Sequence, residues 1–512
     1  MINDNQKFIN FRPLLVVAVI FIIGILLLSL YMIIDLFFYI IVAVIFLIIF
    51  TLVMIWRVKI DGKRAVAVYI IALVFFIFGS AVTFFRISYN ENAKFSGDVN
   101  FSGYIVDVNN KEKVANGYSY NIVALGEIDG NQEKVYAKIT TREDVLVYQK
   151  IEFRAHVSRF SYKASDGSVN YYTITENIRY VANFVKLDDI SQPTNGAIPS
   201  LRHKMVKTLK QCMPTTYEVS YALLTGETSL IDISQLSSFR SVGIAHIFAV
   251  SGLHVAFLYK AIELLLKLFK FNKSYNFFII TTILLTYVGL CGFTASCMRA
   301  FAIIVIAMLT KTFGFKYDAV NTVSLSIIIV LLINPTSIFT VGFQLSFLVY
   351  ISLIAFTKPL SNALSKIFPN KIANFLSPYL VAFLSSAPVS LDVFGYLSPF
   401  SILFNILLVP IIGIVYVLTF ICCFVVMIVP ALEIIAFAPE VITNLICKFL
   451  SVINSSAFII RNVYFLYSKN FYYLSFVTLL DKFNITKKER IVAFSTLFTL
   501  FIITFIVVNV SL

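Results

Sequence analysis

Hydrophobic residues in this chain come in long blocks. Three open it, at roughly Leu14–Ile34, Leu36–Trp56 and Ala65–Phe85. As helices, each is long enough to cross a hydrocarbon layer of ~30 Å. Only Asp35 separates the first two, which predicts a tight helical hairpin. The first block is too long for a signal-peptide core, and no small-residue cleavage site follows it. Arg57, Lys59, Lys63 and Arg64 follow the second block, so the positive-inside rule puts that loop in the cytoplasm. The N-terminus, with Lys7 and Arg12, is then inside too, and the chain after Arg86 is outside. Apolar blocks resume at Ile247–Leu268. Further blocks lie near 276–296, 298–314, 318–333, 338–356, 373–391, 399–429, 430–458 and 491–511. Lys267, Lys270 and Lys273 mark one cytoplasmic loop, Lys358, Lys366 and Lys371 another, and Lys482, Lys487, Lys488 and Arg490 a third. Ten to twelve spans are expected, and the aromatic stretch 459–485 is left unassigned.

Between 95 and 190 the period changes to two. Ile151, Phe153, Ala155 and Val157 alternate with Glu152, Arg154 and His156, and Val135, Ala137 and Ile139 alternate with Lys134, Tyr136 and Lys138. That alternation marks half-buried strands. Asn116–Gly117 and Asp129–Gly130 supply turns. Five strands are expected, near 101–108, 118–127, 134–140, 150–160 and 171–186. A small OB-like barrel fits this pattern, and a small sandwich fits nearly as well. A linker, Ser191–Ser200, leads to a cationic helix over Leu201–Gln211 with Arg202, His203, Lys204, Lys207 and Lys210. A basic amphipathic helix outside the membrane suits anionic lipid headgroups, and it equally suits guiding phosphates. The expected fold is a polytopic α-helical membrane protein with an inserted extracytoplasmic β domain. The chain divides into N-terminal helices (1–90), the β domain (91–195), a basic helical segment (196–245), a membrane channel domain (246–460) and a C-terminal segment with a final span (461–512).

Composition agrees. Hydrophobic residues are 59% and charged residues 13%, a balance that needs lipid to cover much of the apolar surface. The net charge of +14 is uneven: residues 88–199 carry −2 and the rest +16. Most of the excess therefore sets topology. The six cysteines include no CxxC pair and none lies in the β domain. The four histidines, His156, His203, His246 and His254, are too few for a binuclear metal centre. No phosphate-binding GxxxxGK[ST] loop occurs. No metal, cofactor or enzymatic activity is expected.

The segment Leu223–Lys267 is unusual at the start of an apolar span. Gly243, His246, Ser251, Gly252 and His254 are small or polar, and polar groups at membrane depth are costly unless they face protein or water. The segment therefore lines either a pathway or a tight helix junction, and the residues alone do not choose between them. Its motif runs Gly226, Arg240, Gly243, His246, Ala249, Val250, Ser251, Gly252, Leu253 and His254. Three further blocks follow in order. They are Tyr287–Arg299 (YVGLCGFTASCMR), Asn334–Pro335 with Val341–Phe347 (VGFQLSF), and Ala387–Pro388 with Phe394–Gly395, Asn405 and Pro410. In these blocks, over about Tyr217–Leu418, the chain resembles the ComEC family of competence proteins.

That resemblance implies an inner-membrane channel for single-stranded DNA during natural transformation. It implies single-stranded DNA, lipid, a DNA receptor and a cytoplasmic helicase as partners; the oligomeric state, and whether a separate nuclease takes part, are open. It places Arg240, Gly243, His246, Ser251, Gly252, His254, Arg299, Gln344 and Asn405 in or near the channel. Many members carry a C-terminal metallo-β-lactamase-like domain. No HxHxDH motif occurs here, so that nuclease activity is not expected. In the β domain, Arg154, Arg159, Phe160, Tyr162 and Lys163 form a basic and aromatic cluster of the kind single strands use, and Arg202, Lys204 and Lys207 follow it. The domain's negative charge argues the other way, for a lid or scaffold. A secondary transporter for a small solute is the rival class; ionisable residues at membrane depth would suit it, but no internal repeat supports it.

Overall fold

The computed structural model describes residues 12–30, most of 41–55, 63–91, 95–161 apart from 115–116 and 129, 171–193, 196–248, 252–269, 272–453 apart from 395 and 399, and 460–461. It forms two compact units, one of residues 1–84, 317–397 and 460–512, the other of 85–316 and 398–459. The second span expected from the sequence is only partly described, and the segment 462–512 with its final span lies outside the described residues.

The first unit is helical. Helix α1 (Pro13–Leu30) lies against α2 (Lys63–Glu91), and small residues make the crossing close. A Cβ on Gly24 would sit 2.6 Å from the Phe76 carbonyl oxygen, and Ser80 donates its hydroxyl to the Gly24 carbonyl at 3.1 Å. Helix α10 (Ala319–Ile333) packs on α1. Asp318 caps α10, accepting from the Val320 and Asn321 N–H groups, and pairs with Arg12 at 3.4 Å. Asn334–Pro335 ends α10 and starts a short 3₁₀ turn. Helices α11 (Val341–Leu364) and α12 (Asn370–Phe394) then form an antiparallel hairpin. Pro359, Pro378 and Pro388 sit inside these two helices, where protein neighbours can satisfy the freed carbonyls.

The second unit starts with the β domain, a closed five-stranded barrel in the order β1-β2-β3-β5-β4. The strands are β1 (Gly97–Val114), β2 (Gly117–Ile128), β3 (Asn131–Thr141), β4 (Gln149–Arg159) and β5 (Ile178–Pro193). β4 closes on β1 and β3 runs parallel to β5, which is the OB-like alternative of the two the alternation allowed. The residues expected inside are inside. Val135, Ala137, Ile139, Ile151, Phe153, Ala155 and Val157 belong to one apolar core with Phe101 stacked on Phe153. One strand boundary is corrected. Residues 171–176 form a helical turn, α3 (Tyr171–Glu176), and β5 begins only at Ile178. Tyr171 and Tyr172 continue apolar sequence into a strand only on paper; Asn177, at φ 57°, is the left-handed residue that separates the two elements.

The linker is shorter than expected: β5 runs to Pro193 and α4 (Ala197–Cys212) begins four residues later. α5 (Tyr217–Thr225) and α6 (Ile233–Ser241) follow, then α7 (Gly252–Leu268), α8 (Lys273–Leu290), α9 (Ala295–Phe313), α13 (Ser401–Ile428) and α14 (Phe437–Ile453). An apolar core joins α5 and α6 to α13 and α14 through Phe239, Phe248, Phe404, Leu408 and Leu450. Among the described residues, six helical stretches are long and apolar enough to cross a membrane: Val66–Tyr89, Ala295–Phe313, Val341–Leu364, Asn370–Ser390, Ser401–Ile428 and Pro430–Val452. On α13, the apolar residues Leu403, Leu407 and Ile414 are all exposed, as a lipid-facing surface requires.

Candidate functional site

The second unit holds most of the residues singled out above, in two neighbouring layers. The first is an electrostatic frame between the barrel and α4–α6. Arg202 is buried on α4. Its Nη1 donates to Glu227 Oε2 at 2.8 Å and its Nε donates to the Leu290 carbonyl at the end of α8, also at 2.8 Å. Glu227 further accepts from the Tyr221 hydroxyl at 3.0 Å, the Ser229 hydroxyl at 2.8 Å and the Val147 N–H of the barrel at 3.2 Å. Arg202 therefore does not share the surface with Lys204 and Lys207, which are exposed; contrary to expectation, its burial against Glu227 keeps it from contacting DNA. Its basic neighbours made it look solvated. Glu227, its partner, carries no signal in the sequence beyond following Gly226.

A second clamp lies alongside. Lys111 of β1 is buried and donates to Asp144 Oδ1 at 3.2 Å and to the Leu230 carbonyl at 3.1 Å, with Glu218 at 3.7 Å. Lys210 holds the other Asp144 oxygen at 2.7 Å. Burial pushes the Asp144 carboxyl upward, but the hydrogen bond from Lys210 and the charge of Lys111 outweigh it and leave it below the usual range. Burial likewise opposes the Lys111 ammonium, and Asp144 and Glu218 more than restore it. On the other side of the barrel, Arg179 pairs with Glu133 and stacks over the Tyr89 ring at 3.9 Å, fastening the end of α2.

The second layer is the helix junction. Gly226 and Gly243 have φ of 81° and 77°, which favours glycine at both. Gly226 terminates α5, and a Cβ on Gly243 would lie 2.5 Å from the Ser401 Cβ. Arg240 is exposed on α6 and has no ion-pair partner among the described residues. His246 and His254 line one cleft with Ile247, Leu253, Phe257, Val409, Ile412 and Gly413. Its volume is about 20 Å³, room for about one water. His254 is buried, its ring edge-on to Tyr416 with centroids 4.7 Å apart, and Tyr416 also contacts Tyr287. Arg299 is buried and its Nη2 comes within 2.7 Å of where a Gly252 Cβ would be, so the glycine makes room for the guanidinium. Asn405 lies on α13 with its Oδ1 buried and without a hydrogen-bond partner among the described residues.

The structure thus brings Gly243, His246, Gly252, His254, Arg299 and Asn405 into one set of helices. Gln344 belongs to the other unit, where its amide donates to the Ile338 carbonyl at 3.2 Å, while the Thr340 hydroxyl caps α11 by accepting from the Phe343 N–H. Ser251 lies outside the described residues, as do Tyr162 and Lys163 of the barrel cluster. Of that cluster, Arg154 and Arg159 are exposed, and Phe160 stacks on Tyr136 at 5.7 Å. Among the described residues no group of three or more His, Cys, Asp or Glu side chains is placed to hold a metal.

A chain that carries several membrane-length helices and an inserted closed barrel defines a class of polytopic membrane protein. Within it, residues 223–482 match the family described as Competence protein. That is just over half of the chain, and the chain belongs to this family. ComE operon protein 3 of Bacillus subtilis (strain 168) is 26% identical over 244 residues, 47% of this chain and 31% of that relative. The Uncharacterized protein MG316 of Mycoplasma genitalium is 33% identical over 172 residues, 33% of this chain and 42% of its own length. Its homolog in Mycoplasma pneumoniae is 29% identical over 171 residues, again 42% of that protein. The matched part is less than half the length of each relative. No solved structure matches the chain.

Proposed function

We propose that the chain is a channel that passes single-stranded DNA across the bacterial cytoplasmic membrane during natural transformation, with the barrel on the outer side and the N-terminus inside. The observation that carries this reading is the gathering of the family's glycines and polar residues (Gly243, His246, Gly252, His254 and Arg299) into one helix junction of a chain that belongs to the Competence protein family. A polyanion crossing lipid needs a polar or cationic lining, and Arg240, Arg299 and the two histidines supply it. Arg154, Arg159, Lys204 and Lys207 are exposed cations that a strand could meet before the membrane. The protein acts as a conduit, with no enzymatic step of its own. A receptor, a cytoplasmic helicase that draws the strand in, and a separate nuclease complete the machinery.

The test is deletion in a transformable host, with labelled DNA followed to the cytoplasm, and complementation with wild type, Arg240→Ala or His254→Ala. Arg240 is exposed, so its loss leaves the fold intact. Normal surface binding with lost internalisation, restored by wild type but by neither variant, supports the channel. Unchanged internalisation in the deletion strain refutes it and makes a small-solute transporter the better reading.

A further inference from the structure

One feature of the barrel is used neither by its core nor by its clamps. Phe184 in β5 is 94% exposed, at φ 55°. A bulky residue rarely takes that left-handed backbone, and such strain persists where something holds a side chain in place. The cause is local. Arg154 of β4 pairs with Lys186 and His156 pairs with Asn183, so Ala155 faces two residues, Phe184 and Val185. This is a β-bulge, which re-aims a side chain out of its strand's alternation. The ring stands at an open groove of about 480 Å³ lined by Asp98, Asn100, Arg154, His156 and Lys186.

The groove's charges are arranged unusually. Arg154 and Lys186 lie directly opposite each other across the β4–β5 ladder, a like-charge pair that weakens a sheet. Asp188 holds Arg154 at 3.1 Å, and Asp98 holds His156 at 2.8 Å. Lys186 forms no ion pair among the described residues. An exposed aromatic face beside a cation without a partner matches the chemistry that receives a base and its phosphate.

We infer that the Phe184 groove binds single-stranded nucleic acid, with a base stacked on Phe184 and the adjoining phosphate on Lys186 and Arg154. This deepens the proposed uptake function and rests on it for the identity of the ligand. Because the barrel's own charge is negative, stacking carries most of the affinity. Salt dependence is accordingly shallow: two phosphate contacts correspond to a slope of about −1.4 in log K against log salt.

The experiment uses the purified full chain in lipid nanodiscs and a fluorescent oligothymidine of ~16 nucleotides, read by anisotropy. Phe184→Ala is expected to weaken binding roughly 5- to 150-fold, the loss of one stacked base. Phe184→Trp is expected to retain it. Phe184→Gly relieves the backbone, so it should raise the thermal midpoint while losing binding, which separates loss of stacking from loss of fold. Lys186→Gln should weaken binding and flatten the salt slope by ~0.7. Phe184→Ala binding within twofold of wild type overturns the inference. So does absence of oligonucleotide binding together with a Phe184→Trp emission that shifts to the blue on anionic vesicles, which would make the ring a membrane anchor. Oligonucleotide binding that depends on Phe184, in a chain whose deletion leaves DNA internalisation normal, sinks the uptake function and leaves the groove standing. The reverse result, internalisation lost on deletion with no binding at Phe184, sinks the groove alone.

Discussion

Removal of Arg202 should loosen the barrel and the membrane helices of the second unit together. Its side chain and that of Glu227 are each 7% exposed, so the pair is buried rather than a surface contact. Truncating one partner of a buried pair typically costs about 3–5 kcal/mol, because the other charge is left behind. Three donors to Glu227 survive the loss: the Val147 N–H and the hydroxyls of Tyr221 and Ser229. The Leu290 carbonyl, however, loses the guanidinium on which it depends. The lower half of that range, about 3–4 kcal/mol, is therefore expected for Arg202→Met. Cys291 follows Leu290 directly and is buried, so its thiol reports opening at this spot. In detergent, its native-state labelling rate, read peptide by peptide by mass spectrometry, should rise by about two to three orders of magnitude. Glu227→Gln alone should cost a similar amount, and the Arg202→Met, Glu227→Gln double variant much less than the sum, with a coupling of about 2–3 kcal/mol. A single-variant cost under about 1 kcal/mol, the worth of an exposed pair, with additive effects in the double variant, would refute the clamp.

Other expectations are as direct. Gly243→Ala should destabilise by more than the ~1 kcal/mol of backbone preference, because its Cβ also meets Ser401; Ser401→Gly should recover part of the loss in a thermal-shift assay. The Lys111–Asp144 clamp has two pH limits. Asp144 is held below its unfolded value near ~3.9, so its contribution is present above that pH and falls away as pH drops through the lower folded value. Lys111 is raised above ~10.4, so its contribution is full below that pH and is lost as pH rises through the folded value. Lys111→Met should accordingly remove the alkaline limb from a plot of unfolding midpoint against pH. Chelation with EDTA is expected to leave the unfolding midpoint unchanged, since no metal-ligand cluster is present among the described residues; a shift of several degrees would show a structural metal.

Much of the fold was readable because its signals are local. An alternation of period two is a property of four or five adjacent residues, and Ile151, Phe153, Ala155 and Val157 reach the barrel core as that alternation requires. Gly226 and Gly243 stand where a left-handed backbone is needed, again a one-residue property. Membrane blocks announce themselves by length, though a helix start is harder to place: α7 begins at Gly252 rather than Ile247, where the chain instead makes a 3₁₀ turn over Ala245–Ile247.

What stayed hidden is whatever depends on a partner distant in the chain. Arg202 sits among Lys204, Lys207 and Lys210 and reads as one more surface cation. Its burial depends on Glu227 and on Leu290, 25 and 88 residues away. Lys111 lies in a stretch of turn-like polar sequence, yet it is buried against Leu230, 119 residues on. Phe184 is the converse. Its apolar neighbours Val181, Ala182 and Val185 suggest an inward ring, and only the one-residue slip against β4 turns it outward. Sequence periodicity assigns a face on the assumption of regular register, and a bulge changes that face without changing any residue. Charge count fails for a related reason: it sums residues that the fold separates into clamps and surface. Of the cations near the barrel, Lys111, Arg179 and Arg202 are consumed holding the unit together. The charge left for a strand is therefore smaller than the sequence suggests, and an aromatic ring held out by a bulge gains weight as the means of contact.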